Sequence, residues 1–281
     1  MIELHHPDQL WWPDAGLRKR DAVDYYREIA PTLLPHLHDR PLTLKRHYTG
    51  PRSPFAWIKD APADLPEWIR VSPQPAKSRR GAPVRYVVVD SVDALLWLVD
   101  WGCIDFHAWT SRIDRPDRPD YVLFDLDPHG VGFAQVAEAA LLLRDALEAL
   151  ELRGAVKTTG GEGLHVHVPI ERRHGYEEVR GFTRMVAGAL VRVSGGLVTG
   201  ERSPSRRYGV YVDTKMNGHG QQVVAPYSVR PLPSAPVAAP VAWEELDGLD
   251  PLDLTLRTVP DRIRRLGDLL TSPPRAQRLR S

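Results

Sequence analysis

The order of apolar runs between residues 121 and 213 limits what this chain can fold into more than any other feature. An apolar run near 121–126 reads as a strand and a helical period near 133–150 as a helix. Short runs near 155–158 and 165–169 read as strands, a second helical period spans about 176–193, and a last strand lies near 209–213. That order, β-α-β-β-α-β, is the split βαβ arrangement. It predicts an antiparallel sheet with both helices on one face, leaving the other face for chemistry. No internal repeat is visible.

The first of these strands ends in Phe124-Asp125-Leu126-Asp127-Pro128. Residues i and i+2 of a strand share a face. Asp125 and Asp127 therefore stand side by side, with Leu126 turned into the core. Two adjacent like charges repel, and a cation between them removes the conflict. Oxygen ligands of this kind suit Mg²⁺ or Mn²⁺. Taken alone, the pair also reads as one strand-end aspartate and one helix cap, since Pro128 and Gly130 follow.

Downstream features favour the metal reading. Residues 157–170 run Lys-Thr-Thr-Gly-Gly-Glu-Gly-Leu-His-Val-His-Val-Pro-Ile. Gly160, Gly161 and Gly163 let backbone N–H groups approach an anion. His165 and His167 fall on one face of the strand that follows. Val210-Tyr211-Val212-Asp213 is another apolar run ending in a carboxylate, and residues 221–230 end in Arg230. Carboxylates for a metal, a glycine turn with histidine and a separate arginine suit binding of a triphosphate and movement of a nucleotidyl group.

A chain of 281 residues is long enough for one large domain or two lobes. A net charge of +1 does not announce a nucleic-acid binder, but the basic residues cluster, at Arg18-Lys19-Arg20, Lys77 with Arg79-Arg80, Arg202 with Arg206-Arg207, and Arg262 with Arg264-Arg265. Such clusters make local phosphate-binding patches or solvated helix faces. The single cysteine, Cys103, excludes an internal disulfide and a cysteine zinc site, and reads as a small buried hydrophobe. The N-terminus lacks a secretory pattern, and acids interrupt the most apolar stretches, so no membrane span is expected.

Residues 1–110 read as a first lobe. It has a helix over Asp21–Leu37 interrupted near Pro31, strands at 42–47 and 84–89, and a helix capped by Ser91 running to Trp101. Residues 72–83 and 111–120 read as loops, 231–240 as a stiff extended Pro/Ala segment, 258–270 as a short helix, and 271–281 as a frayed tail. The division is thus an N-terminal α/β lobe (1–110), a catalytic lobe (111–240) and a helical tail (241–281).

Asp-Leu-Asp at 125–127, then Gly-Gly-x-Gly-Leu-His at 160–165, then Val-Asp at 212–213 with Ala-Pro-Tyr-Ser-Val-Arg at 225–230, resembles the polymerase domain of bacterial ligase D. That domain belongs to the archaeo-eukaryotic primase superfamily. The likeness extends to His-Pro-Asp at 6–8, Tyr-Tyr at 25–26, Leu-Leu-Pro-His-Leu at 33–37, Arg-Pro-Leu-Thr-Leu-Lys-Arg at 40–46 and Trp-Glu-Glu-Leu at 243–246. It implies an α+β primase-polymerase fold, with an RRM-like catalytic sheet packed with an N-terminal α/β lobe. It implies a template-directed nucleotidyltransferase that extends primers at DNA gaps or breaks, prefers ribonucleotides and uses two ions, Mn²⁺ ahead of Mg²⁺. Asp125, Asp127 and Asp213 would hold the metals. Lys45, Arg46, His107, Thr159, Gly160, His165 and Arg230 would bind the nucleotide, with Thr159 in place of the family's serine at the sugar. Trp57 would stack on the template base. Trp11, Trp12, Trp97 and Trp101 read as core.

End-joining relatives hold a downstream 5′-phosphate with an asparagine and two lysines, where this chain has His6, Gln9 and Lys19. Gln9 removes one charge, so that pocket is expected to be weaker or rebuilt from Arg18 or Arg20. Glu162 stands where lysine is common in the glycine turn. The implied partners are gapped or broken duplex DNA, nucleoside triphosphates, Ku and a separate DNA ligase, in the cytoplasm with the nucleoid. Two alternatives use the same residues: a metal-dependent phosphodiesterase, which needs neither the triphosphate turn nor Arg230, and a non-catalytic DNA-end-binding module, which needs no aspartate set.

Overall fold

The structure, a computed structural model, describes residues 2–75, 82–271 and 276–279. The elements open with β1 (Leu10–Trp12), β2 (Leu17–Arg18), α1 (Lys19–Leu37), β3 (Leu42–His47), β4 (Phe55–Ile58), β5 (Val71–Gln74) and β6 (Val84–Val87). Next come α2 (Val92–Asp100), β7 (Cys103–Ala108), β8 (Ser111–Arg112), β9 (Arg115–Pro119), β10 (Tyr121–His129), α3 (Phe133–Ala149), β11 (Ala155–Thr158) and β12 (Leu164–Pro169). The chain continues through α4 (Tyr176–Val193), β13 (Val198–Thr199), β14 (Gly209–Asp213), β15 (Val223–Val224), β16 (Pro240–Val241) and α5 (Val259–Leu266). These divide into two compact units. One comprises Met1–Pro116, Gln222–Ala238 and Leu252–Gly267, the other Asp117–Gln221, Ala239–Pro251 and Asp268–Ser281. The chain therefore returns to each unit rather than passing through three successive segments, and 241–281 does not form a unit of its own.

In the first unit the sheet order is β15-β7-β3-β6-β5, with β4 paired to β3. α1 buries Ala22, Val23, Tyr26, Ile29, Ala30, Leu33 and Leu37, a stripe at helical spacing. The helix runs through Pro31, where the sequence predicts a break, and through Pro35. An internal proline costs roughly 3 kcal/mol, but full burial of Leu33 and Leu37 beyond it offsets that at ~1.5–3 kcal/mol per side chain. Ser91 caps α2, accepting from Ala94 N at 3.2 Å. The expected loop at 72–83 begins instead as β5, antiparallel to β6. Pro73 is tolerated because β5 is the sheet edge, where a missing N–H leaves no partner unpaired. Lys77, Arg79 and Arg80 lie outside the described residues. The expected loop at 111–120 contains β8 and β9. The Pro/Ala segment is no spacer: Ala235, Val237 and Ala238 are buried, and Val229 bridges Val237. Trp11 and Trp12 are core, whereas Trp97 and Trp101 are half-buried and stack at 5.7 Å.

In the second unit the order is β13-β14-β10-β12-β11-β16. β10 pairs antiparallel with β12 and β14, and β11 with β12. The four strands of the split βαβ motif thus lie in the order β14-β10-β12-β11, antiparallel throughout as the sequence predicts. Phe124, Leu126, Val156, Val166 and Val212 are buried. Phe124 meets Phe182 of α4 edge-on at 6.3 Å, which fixes the helix-covered face. Residues of opposite parity on β10 are left on the other face. No described helix is long and apolar enough to cross a membrane.

Candidate functional site

The strand register of the second unit aligns Lys157, His165, Asp125 and Asp213 in one row across β11, β12, β10 and β14. One pleat further along β10, Asp127 pairs with Tyr211. Leu126, between the two aspartates, is fully buried. His165 Nε2 lies 3.1 Å from Asp125 Oδ1. Asp213 caps the turn after β14, accepting from Lys215 N at 2.8 Å. Burial and the charge of Asp213 raise the Asp125 carboxyl to about 7, against the opposing pull of Lys157. Burial and the two neighbouring aspartates raise Asp127 to about 7 as well, with His129 and Arg207 opposing. Arg207 stacks on Tyr211, its guanidinium 3.5 Å from the ring centroid.

Among the described residues no three His, Cys, Asp or Glu side chains are drawn together into a ready metal-binding group. The reason is visible: Asp125 turns to His165, and Asp213 to its own backbone cap. The donor set still suits a hard divalent cation. Three aspartates lie on adjoining pleats, and two of them are held above their ordinary range by burial and by neighbouring carboxylates, a conflict that a bound ion relieves.

The glycine turn closes on itself. Thr159 N donates to Gly163 O at 3.0 Å, and the Thr159 hydroxyl bonds the Gly163 carbonyl and N–H at 3.2 and 3.3 Å. A Cβ on Gly163 would stand 2.8 Å from the Leu126 carbonyl, so only glycine lets this turn lie against the carboxylate strand. Gly160 has a φ of 73°. His167 stacks on Tyr121 at 4.7 Å, which marks it as a packing residue.

In the first unit, a second cluster surrounds Asp105, which is fully buried. His107 Nε2 lies 2.8 Å from its Oδ1, Arg230 Nη1 3.4 Å and Lys45 Nζ 3.6 Å from its Oδ2. These partners hold Asp105 at about 2 although burial alone would raise it. Lys45 also lies over Phe55 at 4.2 Å and Trp57 at 5.6 Å, and Trp57 meets His107 at 4.8 Å. Trp57 is 51% exposed, so it is not core. Arg46 does not join Lys45. Neighbours on a strand face opposite ways, and Arg46 stacks on Trp101 at 3.7 Å while donating to the Trp101 carbonyl.

The N-terminal set is occupied internally. Lys19 is buried, pairs with Asp100 at 2.7 Å and donates to His5 O. Gln9 donates to Thr49 O and accepts from Trp11 Nε1, and Arg18 donates to Asp8 O. His6 has a positive φ of 51°. Sequence reading singled out neither Asp105 nor Lys157, and gave Arg207 only as part of a basic cluster. Asp105 could have been found from its i, i+2 spacing to His107 on β7. Lys157 could have been found from its register opposite His165.

Comparison with known proteins gives the family of the chain. Residues 18–270 match the family model described as LigD, primase-polymerase domain. The chain is 33% identical over 269 residues to the multifunctional non-homologous end joining protein LigD of Pseudomonas aeruginosa, covering 94% of this chain and 32% of that protein. It is 32% identical over 279 residues to the Mycobacterium tuberculosis H37Rv protein, covering 96% of this chain and 36% of that one. The chain thus spans about a third of these relatives. Among solved structures, the polymerase domain of Mycobacterium tuberculosis ligase D in complex with DNA matches with a TM-score of 0.89 and 32% identity, covering 96% of this chain and 97% of that one. The chain therefore belongs to the LigD primase-polymerase domain family of metal-dependent, DNA-directed nucleotidyltransferases.

Proposed function

We propose that this protein extends a primer at gaps or breaks in duplex DNA by template-directed nucleotidyl transfer, within non-homologous end joining or gap filling. The observation that carries the reading is the row Lys157, His165, Asp125, Asp213 with Asp127 one pleat on. Asp125, Asp127 and Asp213 would hold two divalent ions, with Mn²⁺ preferred over Mg²⁺. Such ions lower the barrier to attack by a primer hydroxyl and neutralise the leaving pyrophosphate.

Several further residues have roles the chemistry can carry. His165 orients Asp125 and sits beside the glycine turn, where it would meet the triphosphate. Thr159 would sense the ribose 2′-hydroxyl, although its hydroxyl also closes the turn, so the sugar contact requires sharing that hydrogen bond. Lys45 and Arg230 supply cations and His107 an imidazole for a polyphosphate, and exposed Trp57 supplies a stacking surface for a template base. Ribonucleotides, Ku, a separate DNA ligase and a cytoplasmic, nucleoid-associated setting complete the reading.

A gapped duplex offered each ribo- and deoxynucleotide separately, with Mg²⁺ or Mn²⁺, tests it. Addition of the nucleotide complementary to the template, faster with Mn²⁺ and with ribose, is the expected result. If nucleotide choice ignores the template, the proposal fails.

A further inference from the structure

We propose that Asp105 is a positioning residue for nucleotide binding: a buried carboxylate that gathers Lys45, His107 and Arg230 into one polyphosphate-binding cluster. The inference rests on the functional reading above and adds a residue to it.

Three observations carry the argument. First, Asp105 has no exposure, while the basic side chains around it retain some: 11% for Lys45, 13% for His107 and 25% for Arg230. The anion is at the bottom and the cations line the top. Second, the charges do not balance. One carboxylate faces a lysine, an arginine and an imidazole, so the cluster keeps a net positive charge suited to an anion. Third, the contacts are uneven. His107 is hydrogen-bonded at 2.8 Å. Arg230 and Lys45 stand at 3.4 and 3.6 Å, and neither Asp105 Oδ2 nor Arg230 Nη1 makes a hydrogen bond. Charge holds Arg230 Nη1, itself buried, against the carboxylate, while the exposed part of the Arg230 side chain stays open to phosphate oxygens, which form stronger charge-assisted bonds.

Arg230 is fixed from behind as well. Val229 N donates to the buried Tyr26 hydroxyl at 2.9 Å, and the neighbouring Ser228 hydroxyl accepts from Phe106 N at 3.2 Å. The backbone on both sides of Asp105 and Arg230 is thereby tied together, and the carboxylate sets where the side-chain cations rest.

The sign of the effect separates positioning from simple charge. Asp105→Asn removes a negative charge, so if the cations kept their places a polyphosphate would bind more tightly. If Asp105 positions them, they separate under mutual repulsion and binding weakens. Titration calorimetry with MgATP, inorganic tripolyphosphate and adenosine, on wild type and Asp105→Asn, reads this directly. We expect at least ~10-fold weaker binding of both polyphosphates, the equivalent of one misplaced charge-assisted contact. Adenosine binding should be unchanged. In primer extension the variant should raise the nucleotide KM and leave kcat within ~3-fold, whereas a partly unfolded enzyme loses kcat alone. Should Asp105→Asn not fold, Asp105→Glu keeps the charge but moves it by one methylene, and it too should raise KM. Equal or tighter polyphosphate binding by Asp105→Asn, or an unchanged KM in Asp105→Glu, overturns the inference. A wild type that binds no polyphosphate overturns the functional reading and this inference with it.

Discussion

Asp125 and Asp127 both stand at about 7 in the folded protein, against roughly 3.9 for an unfolded aspartate. A folded value above the unfolded one means that ionisation opposes folding. Metal-free stability should therefore be greatest below about pH 4, fall as pH rises towards 7, and level off above it. Asp105, at about 2, has the opposite sign and acts only below pH 4. Chemical denaturation across this range checks the prediction, and Asp125→Asn should flatten the slope while raising metal-free stability by about 1 kcal/mol or more. The same substitution should reduce nucleotide addition by at least ~10³-fold, because it removes a metal ligand. Gly163 makes a second prediction at this scale. Gly163→Ala should destabilise by about 1–3 kcal/mol through its clash with the Leu126 carbonyl. At Gly161 the nearest atom is the Thr159 hydroxyl oxygen at 3.8 Å, so Gly161→Ala should leave thermal melting nearly unchanged. Equal melting temperatures for the two variants would contradict the turn geometry.

On β3, alternation divides Lys45 from Arg46. Lys45→Ala should weaken nucleotide binding by ~10-fold or more, while Arg46→Ala should change it by less than ~3-fold and act on stability through Trp101. Comparing nucleotide KM for the two variants tests the split. The resemblance treats these adjacent residues as a pair; the period of two that served well for Asp125 and Asp127 separates them. Much of the second unit was legible because its strands are apolar runs of the right length and its helices are strongly periodic, and the carboxylate strand follows from that pattern. The uninterrupted α1 was not legible, because only burial of Leu33 and Leu37 outweighs two prolines. Asp105 was legible only in part: its i, i+2 spacing to His107 is in the sequence, but its pairing with Arg230, 125 residues away, is not. Lys19 shows the same limit. Its charge is engaged by buried Asp100, so Lys19→Ala should destabilise by about 2–4 kcal/mol, beyond any loss of 5′-phosphate preference. A melting temperature equal to wild type would show that the pair does not matter.

A molecule with a net charge of +1 gains little from long-range attraction to DNA, so binding must rely on local groups and stacking. One unit carries the carboxylate row, and the other carries the cations around Asp105 and exposed Trp57. Metal binding by the carboxylates should release protons near pH 6.5, where Asp125 and Asp127 are partly protonated, and release almost none near pH 8.5. The most direct measurement is extension of a labelled primer in gapped duplex DNA with Mn²⁺, comparing wild type with Asp127→Ala. The predicted result is addition of the template-complementary nucleotide by wild type and none by the variant, both proteins folding alike. Near-wild-type extension by Asp127→Ala, or metal-dependent cleavage of the DNA in place of extension, would contradict the account.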